Sequence, residues 1–378
     1  MLGDIAPTQV ERSFGHLIAF PEATITKSKP VWHPERLAAR LPFLDARARL
    51  TTATRAFFTA RGYREVETPA LVPVPGMEVH LMGFSTRYRP HLGRGRERTL
   101  WLRTSPELAI KRLLAGGAGP VFELARVWRN GEVSPRHHPE FTMLEWYAPG
   151  ASLDALMDET ETFLRAVCPA RVGHAGVETD LTLPFARLRM ADAFARHADV
   201  PDLLASVTPD GRGDAAALSS AAGVALRDGE DWEDLFFRLL LERVEPVIGR
   251  ERATFLTHWP APQAALARRD PADPRAALRF ELFVAGIELA NAFDELTDAA
   301  DQRARFTVDV AERQRRYGEG WPVDEDFLAA LDHGLPPTAG IAMGFDRLAM
   351  LASGARGIED VLWLPLDGLG GEGREETA

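Results

Sequence analysis

The chain has 378 residues, 46% of them hydrophobic and 26% charged, with 44 lysines and arginines against 55 aspartates and glutamates for a formal net charge of −11. That length and balance suit a large α/β or α+β unit with a sizeable core and exclude collagen-like, coiled-coil and wholly disordered chains; the acidic excess argues against nonspecific coating of nucleic acid or anionic membrane. The single cysteine, Cys168, excludes an internal disulfide and Cys-rich metal sites, and with no long apolar run and no secretory signal the expectation is a cytoplasmic protein.

Along the chain, residues 1–31 mix Pro, Thr and Gly with isolated apolar positions and read as a poorly ordered arm. One unit is expected over 32–366, and a flexible tail over 367–378. From about Pro42, Phe43, Ala46, Leu50, Ala53, Phe57 and Ala60 recur at steps of three and four, the period of an amphipathic helix that stops at Gly62. Tyr63 to Pro69 alternates like a short strand. A second helix opens at Ser105-Pro106-Glu107 and runs to Gly116-Gly117, with Ser105 able to cap it and Glu107 at the positive end of its dipole. Pro120 to Arg129 and Glu140 to Tyr147 read as two strands of a long-looped hairpin, and residues 152–167 as a helix. No chemistry is legible between Thr179 and about Glu230. Trp232 to Val244 is an amphipathic helix, Leu278 to Leu296 holds two strand-like runs joined near Ala285-Gly286, and Asp301 to Tyr317 is a charged helix. A last apolar strand, Ala339 to Phe345, leads into a helix from Asp346 to Ala352.

Three clusters carry candidate chemistry. On the long-looped hairpin, Arg129 can fork two hydrogen bonds onto a phosphate, His137 can reach a more distal one, and Phe141 offers a flat face to a purine. In FELFVAGIELANAFDEL, Glu281, Glu288 and Glu295 stand with Asn291 in an apolar run, where carboxylates are costly to bury unless they meet a cation. Their spacing requires the turn at Gly286 to fold the segment back, and hard oxygen ligands of this kind suit magnesium with a polyphosphate. In GIAMGFDR, small residues alternate along a strand and so admit a ligand close to the backbone, with Arg347 at the start of a helix, a natural place for phosphate.

In this order the clusters resemble the three signature motifs of class II aminoacyl-tRNA synthetases: Gly62 to Pro69 with its helix, Phe122 to Tyr147, and Gly340 to Leu351. TSPELAIKRLL, RHHPEFTMLEWY and GIELANAFDELTDA are similar to the lysyl branch. The resemblance implies an α+β class II catalytic domain, an antiparallel sheet flanked by helices, over 32–366. No OB-fold anticodon domain is expected ahead of the first motif, which points to the elongation factor P lysine ligases, a family of lysyl-tRNA synthetase paralogues. Ser105 and Ala342, where lysyl-tRNA synthetases usually have alanine and glycine, match that branch.

The family's reaction is ATP-dependent activation of a lysine, preferentially (R)-β-lysine, and its transfer to the ε-amine of a lysine on translation elongation factor P. By resemblance, Arg129 meets the α-phosphate and the substrate carboxylate, His137 and Arg347 the γ-phosphate, and Phe141 the adenine. Asn130, Gly131, Glu132 and His138 belong to the ATP-binding hairpin, Leu289 and Gly344 present backbone near ATP, and Glu281 with Glu288 hold Mg2+. Asn291 also meets the carboxylate, Glu107 an amino group, and Tyr147 with Glu295 the distal ammonium, while Ser105, Pro106 and Ala342 shape the pocket. A homodimer is implied, and neither a membrane nor stably bound tRNA is expected as a partner. One departure stands out: Arg129-Asn130-Gly131-Glu132 lacks the family's usual first acid, so that either Glu132 replaces it or the Gly131 backbone serves. The alternatives are a truncated lysyl-tRNA synthetase-like enzyme acting on tRNA and a non-catalytic regulatory paralogue.

Overall fold

The computed structural model describes residues 29–90 and 95–366. The tail expected over 367–378, and all of the expected arm up to residue 28, lie outside the described residues. Helix α1 spans Pro34–Ala60, starting well before Pro42. Proline is favoured in the first helical turn, where its missing N–H costs nothing, and His33 caps the helix by accepting from the Glu35 N–H at 3.4 Å. Pro42 is tolerated inside because buried Arg40, Leu44 and Arg47 anchor the helix on both sides of it.

The expected strand Tyr63 to Pro69 shrinks to β1, Arg64–Glu65. A small sheet that sequence periodicity did not reveal follows: β2 Leu71–Val72, β3 Phe84–Tyr88 and β4 Arg98–Leu102, in the order β2-β4-β3. Then come α2 Glu107–Ala115, β5 Val121–Trp128, β6 Glu140–Pro149 and α3 Leu153–Val167, close to the expected hairpin and helices. The hairpin β7 Arg171–His174 and β8 Val177–Asp180 follows, and the stretch without legible chemistry, which begins within β8, continues through β9 Ala186–Arg189, α4 Met190–His197 and α5 Ala215–Ala222. Helix α6, Trp232–Leu239, widens into a π turn at Leu240–Val244. The remainder is β10 Thr254–Pro260, β11 Ala276–Val284, β12 Ile287–Asp294, α7 Ala299–Tyr317, α8 Glu325–Gly334, β13 Thr338–Gly344 and α9 Phe345–Ser353. No helix among the described residues is long and apolar enough to cross a membrane.

The main sheet has the order β1-β5-β6-β13-β12-β11-β10-β9. Its interior pairs are antiparallel, as expected, but both edge pairs, β1 with β5 and β9 with β10, are parallel, so the sheet is mixed. Each of those pairs is joined by a long connection containing helices, and only such a crossover can bring a strand back in the same direction.

One face of the sheet is sealed. Leu144, Trp146, Phe280, Leu282, Ala290, Ala292, Ile341 and Met343 pack with Phe58 of α1, Phe163 of α3 and Leu348 of α9 in a single core. Alternation along the strands turns the opposite set to the other face: Phe141, Glu145 and Tyr147 on β6, Arg279 and Glu281 on β11, and Gly340, Ala342 and Gly344 on β13. That face carries the site.

Candidate active site

The hairpin turn between β11 and β12 has positive φ at both Ala285 (52°) and Gly286 (71°), the two-residue geometry whose twist matches paired antiparallel strands. The turn alone does not align the carboxylates. Leu282 pairs with Ala290 but Phe283 pairs with Glu288, so Leu289 is an extra residue, a β-bulge. The bulge reverses the parity of β12: Ile287 and Leu289 before it, and Ala290 and Ala292 after it, all reach the sealed core. Glu288 therefore shares the open face with Asn291 and Glu295, and with Glu281 across the hairpin, whose partner is Asn291.

Over this face lies a cavity of about 950 Å3. Arg129, Glu132, His137, His138, Phe141, Glu288, Leu289, Gly344 and Arg347 line it, as do Ser105, Glu107, Tyr147, Asn291, Glu295 and Ala342. Asn130, Gly131, Pro106 and Glu281 do not. Pro106 is the cap residue of α2. The Asn130 N–H donates to Met82 O at 2.8 Å and Gly131 turns the chain at φ 82°. It is Glu132 that returns to the cavity, with Oε1 3.8 Å from Arg129 Nη1.

In the first group, the Arg129 guanidinium lies 5.3 Å from the Phe141 ring centre, and Arg347 donates to Glu288 O at 2.7 Å and to His137 Nε2 at 2.6 Å. Burial and the neighbouring Arg347 hold the His137 pKa below its ordinary value, so the ring is neutral, with Nδ1 turned to Ser134 Oγ at 2.7 Å. Arg347 is placed from behind. Asp346, buried at the start of α9, is ion-paired with Arg47 of α1 and accepts from the Thr142 N–H at 2.7 Å, which pins the helix to β6. His138 is buried and both its nitrogens meet backbone, Nδ1 at Glu140 O (2.6 Å) and Nε2 at the Leu366 N–H (3.2 Å), so it braces the wall instead of pointing a free nitrogen at a ligand.

Glu281 takes the Arg279 guanidinium at 2.5 Å, and Arg279 also donates to Asn291 Oδ1 at 3.1 Å and lies 4.0 Å from the Trp259 ring centre. Burial and the Glu288 carboxylate push the Glu281 pKa up to about 8, against the pull of Arg279.

The second group is an acidic cage. Ser105 donates to Glu145 Oε1 at 2.7 Å and Tyr147 to Glu145 Oε2 at 2.9 Å. Lys111, buried at the back of α2, places Nζ 2.5 Å from both Glu107 Oε1 and Glu295 Oε2. Burial, reinforced by Glu107, raises the Glu145 pKa to about 8. Burial would lower Lys111, but the two carboxylates reverse this and hold it above its ordinary value. Two carboxylates, Glu107 and Glu295, share this one lysine, and Glu145 is held by Ser105 and Tyr147 beside them, so the cage offers carboxyl oxygens to an incoming ammonium.

Residues 35–368 match the family model described as tRNA synthetases class II (D, K and N). The chain belongs to this family. Curated relatives from Klebsiella pneumoniae (strain 342) and Enterobacter sp. (strain 638) are each 42% identical over 339 residues, covering 89% of this chain and 98% of theirs. A relative from Salmonella heidelberg (strain SL476) is 41% identical over the same span. All three carry the name Elongation factor P–(R)-beta-lysine ligase.

Several residues of this class II synthetase site escaped sequence reasoning. Glu145 and Arg279 each stand two positions from a residue the motifs singled out, Tyr147 and Glu281, and strand alternation alone puts them on the same face. Lys111 follows Glu107 by one helical turn. Glu78, whose pKa burial and Glu107 raise, lies on a segment between β2 and β3 that has no periodic signal.

Proposed function

We propose that this class II synthetase activates lysine, preferentially (R)-β-lysine, with ATP and transfers it to a lysine ε-amine of translation elongation factor P. The observation that carries this reading is the continuity of one cavity from the Arg129–Phe141 and His137–Arg347 pairs to Glu107, Tyr147 and Glu295. The first end suits the phosphates and ring of a nucleotide, and the second an amino acid bearing two ammonium groups. Kinship with ligases of that name at 42% identity, over nearly their whole length, supports the same choice.

In the first step an oxygen of the lysine carboxylate attacks the α-phosphorus, the bond to the bridging oxygen breaks, and pyrophosphate leaves. Arg129 forks onto the α-phosphate and the carboxylate, holding both reactants in line and stabilising the charge that develops on the phosphate oxygens. Arg347 and His137 hold the distal phosphates, Phe141 stacks on the adenine, and Asn291 meets the carboxylate. In the second step a neutral acceptor amine attacks the carbonyl of the mixed anhydride; the C–N bond forms, the carbonyl's bond to the phosphate oxygen breaks, and AMP and the amine's proton are released.

Glu288 and Glu281 would hold Mg2+. No group of three or more His, Cys, Asp or Glu that could hold a metal ion forms among the described residues, and a pair of carboxylates fits an ion whose remaining oxygens come from phosphates and water. The bound ion supplies charge neutralisation to the triphosphate. Glu295 and Tyr147 select the distal ammonium, because a buried carboxylate left without its cation is costly and so rejects neutral amino acids. We further propose a cytoplasmic homodimer.

Intact-mass analysis of elongation factor P after incubation with the chain, ATP, Mg2+ and each lysine isomer tests the reading. The expected result is addition of one lysyl group with the β isomer favoured. Transfer to tRNA with an unmodified elongation factor would replace it.

A further inference from the structure

The carboxylates of the acidic cage are not free to point anywhere. Lys111 is 1% exposed and does not line the cavity, yet its Nζ touches Glu107 on its own helix and Glu295 just beyond β12. Glu295 is likewise 1% exposed; one oxygen, Oε2, is spent on Lys111, while Oε1 has no hydrogen-bond partner and lies so near Gly340 that a β-carbon there would come within 2.4 Å of it. Gly340 and Glu295 both line the cavity. A carboxylate with one oxygen tied behind and the other left bare toward a cavity is oriented for a ligand cation.

We propose that Lys111 is a positioning residue: its ammonium, reaching no substrate itself, holds Glu107 and Glu295 aimed so that each presents an oxygen to the ammonium groups of the amino-acid substrate. This deepens the lysine reading above and rests on it. Without Lys111 the two acids would face each other across a dry core with no cation between them. The pair would then swing apart, or Glu295 would hold its proton more tightly, and either change spoils the oxygen arrangement that an ammonium seeks. Burial, with Glu107 beside it, raises the Glu295 pKa to about 8 against the opposing pull of Lys111, so removing Lys111 raises it further.

The test compares wild type, Lys111→Met and Lys111→Arg as full chains in lysine-dependent ATP–pyrophosphate exchange. Alongside, the Glu295 carboxyl is titrated by carbon NMR and assigned through Glu295→Gln. Lys111→Met is expected to raise KM for lysine roughly tenfold or more with KM for ATP little changed, and to move the Glu295 midpoint upward. Lys111→Arg, which keeps the charge, should restore part of both. A Lys111→Met chain that melts earlier but keeps its lysine KM and its Glu295 midpoint would overturn the proposal. If wild type shows no lysine-dependent exchange while the midpoint still moves, the lysine reading fails and the positioning role stands. Should Lys111→Met not fold, Lys111→Met combined with Glu107→Gln removes one charge of each sign, and an unmoved Glu295 midpoint relative to Glu107→Gln alone gives the same refutation.

Discussion

Gly340 and Tyr147 are paired across β13 and β6, and a β-carbon on the glycine would lie 2.3 Å from the tyrosine ring. The same carbon would crowd Glu295, so only glycine lets these two groups close on one point. Overpacking of this kind costs about 1–3 kcal/mol, so Gly340→Ala is expected to fold. Its KM for lysine should rise roughly tenfold or more, with KM for ATP little altered, because the displaced groups belong to one end of the cavity. Pyrophosphate exchange with varied lysine and varied ATP measures the split.

Glu145 couples the site to pH. Its folded pKa is about 8 against an ordinary 4.5, so between these values the folded chain keeps a proton that the unfolded chain gives up. Stability therefore falls as pH rises through that window, by at most about 1.4 kcal/mol per pH unit. Glu145→Gln cannot titrate, so its stability relative to wild type should improve steadily from about pH 5 to about pH 8. Denaturant unfolding at several pH values checks this; a pH-independent difference would contradict it.

Arg129 lies over Phe141 at a cation–π distance while both line the cavity. Lysine keeps the charge but loses the fork. Arg129→Lys should lower the exchange rate by roughly 100- to 1000-fold, the scale seen when one donor to a developing oxyanion is lost, and its melting temperature should stay near that of wild type.

Arg279 bridges Glu281, Asn291 and Trp259. Removing one partner of a buried ion pair costs about 3–5 kcal/mol, so Arg279→Met should lower stability on that scale, and adding Glu281→Gln should recover part of the loss. Thermal melts of the single and double variants decide it.

Ala342 lies on the cavity face between Asn291 on β12 and Glu145 on β6. One methyl decides about 1–3 kcal/mol of selectivity. Ala342→Gly should raise activity with α-lysine relative to β-lysine, and equal adenylation of both isomers by variant and wild type would refute this.

Much of the site could be read from the chain itself. Arg129, His137, Phe141, Glu288, Asn291, Glu295 and Arg347 were placed by motif wording, and all of them line the cavity. Strand alternation in GIAMG correctly anticipated Gly340, Ala342 and Gly344 on one open face. The small sheet of β2, β3 and β4 and the parallel edges were not legible, because strands of two to five residues carry too few alternations to stand out.

What the sequence determined alone is therefore the inventory: which acids, guanidinium groups and small residues stand in strands and helix starts, since periodicity and turn residues are local. What the tertiary structure decided is which of them meet. The extra residue Leu289 turns Glu288 to the side of Glu281, and no periodic rule marks where a strand will bulge. Lys111 reaches Glu295 only because α2 is laid against the end of β12, and Arg279 claims Glu281 only once both are buried. Such pairings depend on a low-dielectric interior that exists after folding, where an unpaired charge is costly enough to dictate its neighbour.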